Sequence, residues 1–323
     1  MILSPSYRRD IQTENDIAEE IARVVGYDNI PTQSYKIPAL INVNNELKVF
    51  EKQFKNFLSE HGFYEVINNP FINSNLKNTI EVDNPLDSNK KYLRTNLEES
   101  LIDNLLYNEK RQQDSLKLYE IADVYYFSEE EIKSKRMLGI ICSGRVGKNY
   151  IDFSKKINKK YITTILSKAF KGLDVNAANL DRNTIDSKLN HQIIYVEIEL
   201  DSLLKCDYDF SDYSKEEVEK INFVKYKTIS PFPCSIRDLS FAIKNSDKFL
   251  ELQNYLLNFN EDIIKESYIF DFYNDLKRDE IKIGFRLVFQ SKTSTITDSE
   301  VNAVMNRLIK NTISIESVSI PGL

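Results

Sequence analysis

Tryptophan is absent from the 323 residues, histidine occurs twice and cysteine three times. Cys142, Cys206 and Cys234 are far apart and form no CxxC pair. A disulfide framework or a structural zinc site therefore does not organise the fold, and a reducing, cytoplasmic address is expected. His61 and His191 sit in neither HxxxH nor HExxH spacing, which removes the common zinc-protease pattern. Glycine is scarce at 8, too few for chemistry built on several glycine-rich phosphate loops. No apolar run approaches the ~18 residues of a membrane span, so no membrane partner is expected. The start, Met1-Ile2-Leu3-Ser4-Pro5-Ser6-Tyr7-Arg8-Arg9, turns charged after three apolar residues, unlike a signal peptide. Net charge is −6 with a pI near 5.3, so no global basic field announces a nucleic acid.

What is present is an ordinary globular composition, 41% hydrophobic and 28% charged. At roughly 150 residues per domain the length suggests about two domains. The chain opens with a strand stub and one helix, capped by Thr13 with Asp16 three residues on and closed by Gly26. Ile17, Ile21, Val24 and Val25 form its apolar stripe, which a single helix cannot bury. Residues 33–44 read as a linker. From residue 45 the pattern is mixed: helices at Leu47–Leu58, Leu97–Leu106 and Phe153–Phe170, strands at Phe63–Ile67, Leu116–Phe127, Met137–Cys142 and Ile193–Leu200. Asp207–Glu219 has no period and reads as a loop. The final part runs strand Leu239–Ile243, helix Phe249–Phe259, strands Tyr268–Tyr273 and Ile281–Gln290, helix Thr297–Ile309 and strand Ile313–Ile320. That order is βαββαβ, a ferredoxin-like unit. The fold class is α+β.

Three constellations could carry chemistry. Asp16, Glu19, Glu20 and Arg23 share one face of the first helix, and Asp10 precedes it. Carboxylates so spaced could offer oxygens to Mg²⁺; equally, acids in a first turn complement the helix dipole, and Glu19–Arg23 is an i,i+4 pair. Gly144-Arg145-Val146-Gly147-Lys148 fails as a P-loop, because the motif needs glycine where Cys142 stands and Ser or Thr where Asn149 stands. A turn between two strands accounts for it better. Phe241, Phe270, Phe272, Phe285 and Phe289 could stack bases, although alternation sends about half of them into a core. Arg237, Lys282 and Arg286 could add phosphate contacts, but from Lys227 onward 12 basic residues face 13 acidic ones.

With these residues laid out, the chain resembles the β subunit of bacterial phenylalanyl-tRNA synthetase. The segments are Ser6-Tyr7-Arg8-Arg9-Asp10-Ile11 and Asp16 to Pro31, then Gly62-Phe63-Tyr64-Glu65-Val66-Ile67, Asn84-Pro85-Leu86, Leu93-Arg94-Thr95-Asn96-Leu97 and Leu118-Tyr119-Glu120-Ile121-Ala122-Asp123-Val124-Tyr125. Ser230-Pro231-Phe232-Pro233, Arg237-Asp238-Leu239 and Thr295 to Asn302 are similar to the family's ferredoxin-fold anticodon-binding domain. Their order across about 300 residues carries the likeness.

The resemblance implies a remnant of a helical module at 1–32, a linker at 33–44, a class II aminoacyl-tRNA synthetase-like core at 45–225 (antiparallel sheet with helices), and an anticodon-binding domain at 226–323. It implies an α₂β₂ heterotetramer that joins phenylalanine to tRNA(Phe), with ATP bound by the α subunit. It also implies Mg²⁺ shared with the α subunit; the matching positions are Asp10, Asp16, Glu19 and Glu20. Class II chemistry needs an FRxE-like turn and a GxGxxR segment. Here Tyr126-Phe127-Ser128 follows the strand without arginine, and GxGxxR occurs nowhere. A core lacking these charge-stabilising groups is expected to scaffold rather than catalyse. The family's OB-like and editing domains have no counterpart in these residues. A C-terminal fragment and a reduced subunit both fit that, and a free-standing ferredoxin-fold RNA-binding protein is the competing reading.

Overall fold

The computed structural model describes residues 4–32, 46–73, 78–85, 87, 90–113, 115–129, 131–187, 189–210, 226, 228–245, 247–275 and 280–321. The expected linker and most of the expected 207–219 loop lie outside these residues. Two compact units emerge, Met1–Asn45 and Glu46–Leu323. In the first, α1 (Glu14–Val25) starts at Thr13 and ends at Gly26, whose N–H donates to the Ala22 carbonyl at 2.9 Å. Of the expected strand stub, residues 1–3 lie outside the described residues, and residues 4–13 form turns and irregular chain. Ile21, Val24 and Val25 of the apolar stripe are exposed, Val24 at 86%.

The second unit opens with α2 (Glu46–Glu60) and β1 (Tyr64–Glu65). A small antiparallel sheet follows, β2 (Phe71–Ile72), β3 (Ile80–Glu81) and β4 (Tyr92–Leu93), ordered β2-β4-β3. Next come α3 (Glu98–Glu109), the long hairpin β5 (Leu116–Ser128) and β6 (Glu131–Ser143), and α4 (Lys159–Ala169). β7 (Ala178–Leu180), β8 (Ile193–Glu199) and the short α5 (Leu200–Leu204) complete this part. The main sheet is ordered β1-β5-β6-β8-β7, with β1 parallel to β5 and the other pairs antiparallel. Expected Phe153–Phe170 shrinks to α4, because Asn158 takes the N-cap and its side chain accepts from the Tyr161 N–H. The Gly144–Lys148 turn leads from β6 toward α4 rather than joining two strands of the sheet; a single bridge, Arg145 to Lys156, closes it.

Strand alternation sends one set of side chains to each face of the main sheet, and both faces are covered. Tyr119, Ile121, Leu138, Ile140, Cys142, Ile194 and Val196 pack with α2, α4 and α5. The phenylalanines of α2 join Phe170, Tyr208 and Phe210, with ring centroids 4.9–5.3 Å apart at Phe50–Tyr208 and Phe54–Phe170. Tyr208 and Phe210, expected in a featureless loop, are thus core partners. On the other face Leu118, Val124, Ile141, Ile193 and Tyr195 meet Leu97, Leu101 and Leu105 at α3.

A row of three residues crosses that second face. Glu120 is in register with Gly139, and Gly139 with Glu197. Glu120 is 2% exposed and pairs with the equally buried Arg94, Nη1 to Oε1 at 3.0 Å. Asn68 donates to the same carboxylate through its backbone N–H and its Nδ2, at 3.0 and 2.9 Å. Arg94 Nε donates to the Asp123 carbonyl at 3.0 Å. Glu197 accepts the Leu97 N–H at 3.0 Å. Gly139 lies between the two acids, and a Cβ there would fall 2.8–2.9 Å from Leu101 and Leu97. The row therefore seats the start of α3 on the sheet.

The chain ends with β9 (Ser235–Ile243), α6 (Asp247–Asn258), β10 (Ile264–Asp275), β11 (Glu280–Phe289), α7 (Asp298–Ile313) and β12 (Val318–Ser319). The antiparallel sheet is ordered β10-β11-β9-β12, the ferredoxin-like arrangement the element order implies. The last strand is shorter than expected, because α7 runs on to Ile313 and leaves only two residues to pair with β9. Thr297 and Glu300 form a capping box at the start of α7. Breaking the buried pair at Glu120 should be the costliest polar change in the fold. Glu120→Gln leaves Arg94 buried without its counter-charge, so a loss of about 3–5 kcal/mol is expected, read from urea unfolding of the full chain.

Candidate functional site

The acidic cluster of the first unit is arranged by arginine. Arg8 donates to Asp10 through Nε at 2.9 Å and Nη2 at 2.7 Å, and through Nη2 to Glu20 at 2.6 Å. Arg23 reaches Glu19 at 3.4 Å and Glu20 at 3.2 Å. Asp16 points elsewhere: its Oδ2 accepts from the Gln12 N–H at 2.9 Å, the Thr13 N–H at 2.7 Å and the Thr13 hydroxyl at 2.9 Å. Asp10 and Glu20 thus converge on one guanidinium, Glu19 shares a second with Glu20, and Asp16 serves the helix cap. Hydrogen bonds from Arg8 hold the Asp10 carboxyl below its usual range, and the Gln12 and Thr13 amides do the same for Asp16. Among the described residues no group of three acidic, histidine or cysteine side chains is placed to hold a metal. As arranged, the four carboxylates do not fit a cation cage.

The three cations considered for RNA are also engaged, and they do not form one patch. Odd-numbered β9 and β11 residues face α6 and α7, since Phe241, Ile283, Phe285 and Leu287 are core. Arg237 lies on that helix-facing side, and its Nη2 meets Asp298 at the start of α7 at 2.7 Å. Lys282 and Arg286 lie on the opposite side. Lys282 pairs with Glu280 at 3.4 Å, and Arg286 grips Asp238 with two hydrogen bonds of 2.7 Å. Arg286 also lies 5.0 Å over the Phe153 ring and 5.2 Å over that of Phe270.

The aromatic platform is likewise occupied. Phe241, Phe285 and Phe289 are core residues at 0% exposure. Phe272 packs on Phe249 of α6 at 5.5 Å and on Tyr150 at 5.6 Å. Phe270 sits at a register shift between β10 and β11, which turns its ring across Gly284. A Cβ on Gly284 would meet that ring at 2.8 Å. Phe153 then packs, tilted, on Phe270 at 5.1 Å and on Tyr268 at 6.2 Å, and Lys148 reaches Glu266 at 2.8 Å. The segment from Arg145 to Phe153, between β6 and α4, therefore lies on the outer side of the β10–β11 hairpin. Sequence reasoning missed this docking. The signal available was the rejected Gly144–Lys148 motif next to an isolated aromatic, Phe153.

Residues 30–202, more than half of the chain, match the family described as "Phenylalanyl tRNA synthetase beta chain CLM domain". Residues 230–316 match "Ferredoxin-fold anticodon binding domain" and residues 1–27 "tRNA synthetase B5 domain". The "Phenylalanine--tRNA ligase beta subunit" of Aquifex aeolicus is 28% identical, over 95% of this chain and 42% of that protein. The protein so named in Thermotoga maritima is 25% identical, over 96% of this chain and again 42% of its own length. The chain thus spans well under half the length of these curated relatives. A solved pyrrolysyl tRNA synthetase from Desulfitobacterium hafniense aligns over 59% of this chain and 73% of its own, at 14% identity and a TM-score of 0.35, a distant likeness only.

The cap at α1 gives a test with a definite sign. Asp16 has its folded-state pKa depressed, so its contribution is present above the ordinary carboxylate range and lost as pH falls through the folded value. Protection of the Gln12 and Thr13 amides, measured against their intrinsic exchange rates, should fall once acidification passes below the ordinary carboxylate range, and Asp16→Ala should already lack that protection at neutral pH. Slow exchange in the variant at neutral pH would remove Asp16 from the cap.

Proposed function

The chain belongs to the phenylalanyl-tRNA synthetase beta-chain family, and on that footing we propose that it is a non-catalytic part of phenylalanine–tRNA ligase. In this reading it scaffolds a catalytic α subunit in an α₂β₂ assembly in the cytoplasm and contacts tRNA(Phe), while the α subunit binds ATP and performs the ligation. The observation that carries it is the ordered run of three family matches along one chain. The core supports the non-catalytic half independently. Its main sheet is packed with apolar side chains on both faces, and the polar row on the α3 face is committed to Arg94, Asn68 and Leu97. Adenylate chemistry rests on charged groups aimed at phosphate, and the arginine-bearing turn and GxGxxR segment that would supply them are missing. No described helix is long and apolar enough to cross a membrane.

Mg²⁺ enters only as a shared ion. Mg²⁺ commonly takes one or two carboxylates and keeps several waters. From this chain those would be Asp10 and Glu20, and only with Arg8 displaced, since Arg8 now occupies the point where they converge. Asp16 stays with its cap, and Glu19 with Arg23.

Two measurements test the assignment. Phenylalanine-dependent ATP–pyrophosphate exchange should stay at background for the chain alone and appear when the cognate α subunit is added; exchange by the isolated chain would overturn the scaffold reading. Co-expression with that subunit should yield an α₂β₂ mass in native mass spectrometry, and an RNA-binding monomer would favour the free-standing protein instead. For the ion, Arg8→Gln should raise Mg²⁺ affinity in calorimetry, because it frees Asp10 and leaves Glu20 only its contact with Arg23. Equal heats for parent and variant would leave the cluster as a set of helix ion pairs.

A further inference from the structure

The strongest local excess of charge in the molecule lies around α4, to which no functional role has been assigned above. From Phe153 to Leu173 the sequence holds six lysines, Lys155, Lys156, Lys159, Lys160, Lys168 and Lys171, and no aspartate or glutamate. This run belongs to a chain of net charge −6. All six side chains are exposed. Lys155 pairs with Asp152 at 2.9 Å and Lys171 with Asp207 at 3.2 Å. Lys156, Lys159, Lys160 and Lys168 make no ion pair among the described residues.

The geometry of α4 gathers these charges. Its apolar positions, Ile162, Ile165, Leu166 and Ala169, are buried. Lys160, Thr164, Ser167 and Lys168 therefore occupy the outward face, all exposed. At 1.5 Å per residue, Lys160 and Lys168 stand about 12 Å apart along the axis, with two hydroxyl residues between them. The arrangement works against local stability. Lys159 and Lys160 open the helix, where the dipole disfavours cations. Lys168 stands in the last turn, where the dipole favours a cation, but no acid on α4 pairs with Lys159, Lys160 or Lys168.

We propose that this lysine face, Lys155–Lys156 together with the outward side of α4, is a binding surface for the phosphate backbone of RNA. A polyanion offsets the positive charge that Lys156, Lys159, Lys160 and Lys168 leave unpaired, and the Thr164 hydroxyl adds a partner for phosphate and sugar oxygens, while Ser167 donates to the Thr164 carbonyl at 2.9 Å. A membrane surface suits it poorly. Interfacial helices insert an apolar face, and the apolar face of α4 is spent inside the core. The surface also contrasts with Arg237, Lys282 and Arg286, each already neutralised by a carboxylate. The inference deepens the tRNA-contact reading by naming a surface for it, and it specifies backbone contact, not base readout.

The test uses the full chain and a fluorescein-labelled tRNA(Phe) transcript, with affinity followed by anisotropy across a salt series. The variant carries Lys156→Gln, Lys159→Gln, Lys160→Gln and Lys168→Gln, all exposed positions; a circular dichroism melt matching the parent's establishes that it folds. The slope of log affinity against log salt should fall by about 3 for four lost phosphate contacts, with at least a ~10-fold weaker Kd at low salt. Arg237→Gln with Lys282→Gln should leave the slope nearly unchanged. If the parent binds and the lysine variant matches it in slope and affinity, the surface is wrong while tRNA contact stands. If the parent does not bind the transcript, or binds only phosphatidylserine vesicles, the proposal falls.

Discussion

The core of the larger unit depends on a buried ion pair between two distant segments. Arg94 precedes α3, and Glu120 lies in the middle of β5; neither is open to solvent. Desolvating two such charges is expensive, and their attraction repays it only where the remaining donors and acceptors are satisfied. Here they are, through Asn68 and the Asp123 carbonyl. The pair therefore holds α3 in one position on the sheet instead of merely gluing it there. Glu197 adds a second anchor at the Leu97 amide, and Gly139 leaves the room for Leu97 and Leu101 to approach. Everything apolar on that face follows from this seating.

A pattern runs through the charged residues. Three arginines settle inside the structure, each with a carboxylate or a ring: Arg94 with Glu120, Arg182 with Glu109, Arg286 with Asp238 and Phe153. The planar guanidinium suits such bidentate and stacked contacts. The lysines of α4, by contrast, are exposed and make no ion pair among the described residues. A chain that is acidic overall can thus still present a basic surface, because net charge says nothing about where charges sit.

The ferredoxin-like sheet illustrates how docking changes the meaning of a motif. Its phenylalanines include core residues on one side and, at Phe270, a ring that the core's own Phe153 covers. The contact is intramolecular and aromatic, reinforced by Arg286 and by Lys148 with Glu266. A stacking platform in the sequence becomes an interface between two parts of one unit in the structure.

The longer helices and strands, the βαββαβ topology, the cap at Thr13 and the family likeness were legible in the sequence, whereas the two- and three-residue strands β2, β3, β4 and β7 and the short α5 were not. Helix and strand periodicity is local, and caps are set by residues three apart, so neighbours along the chain suffice to determine them. The same locality explains where reading failed. The Phe153–Phe170 helix began only after the Asn158 cap, with Phe153 packed on Phe270 instead, and the final strand lost residues to α7, which runs on to Ile313. The carboxylates of α1 were correctly grouped on one helix, but spacing could not reveal that Arg8 would occupy their point of convergence or that Asp16 would turn to the cap. Likewise Arg237, Lys282 and Arg286 were visible as cations, while their partners Asp298, Glu280 and Asp238 are assigned by sheet register and helix placement. The sequence by itself determined which groups are present and on which face of an element they stand. Only the tertiary structure decided which charges meet, because electrostatic pairing acts over a few ångströms of space that chain distance does not measure.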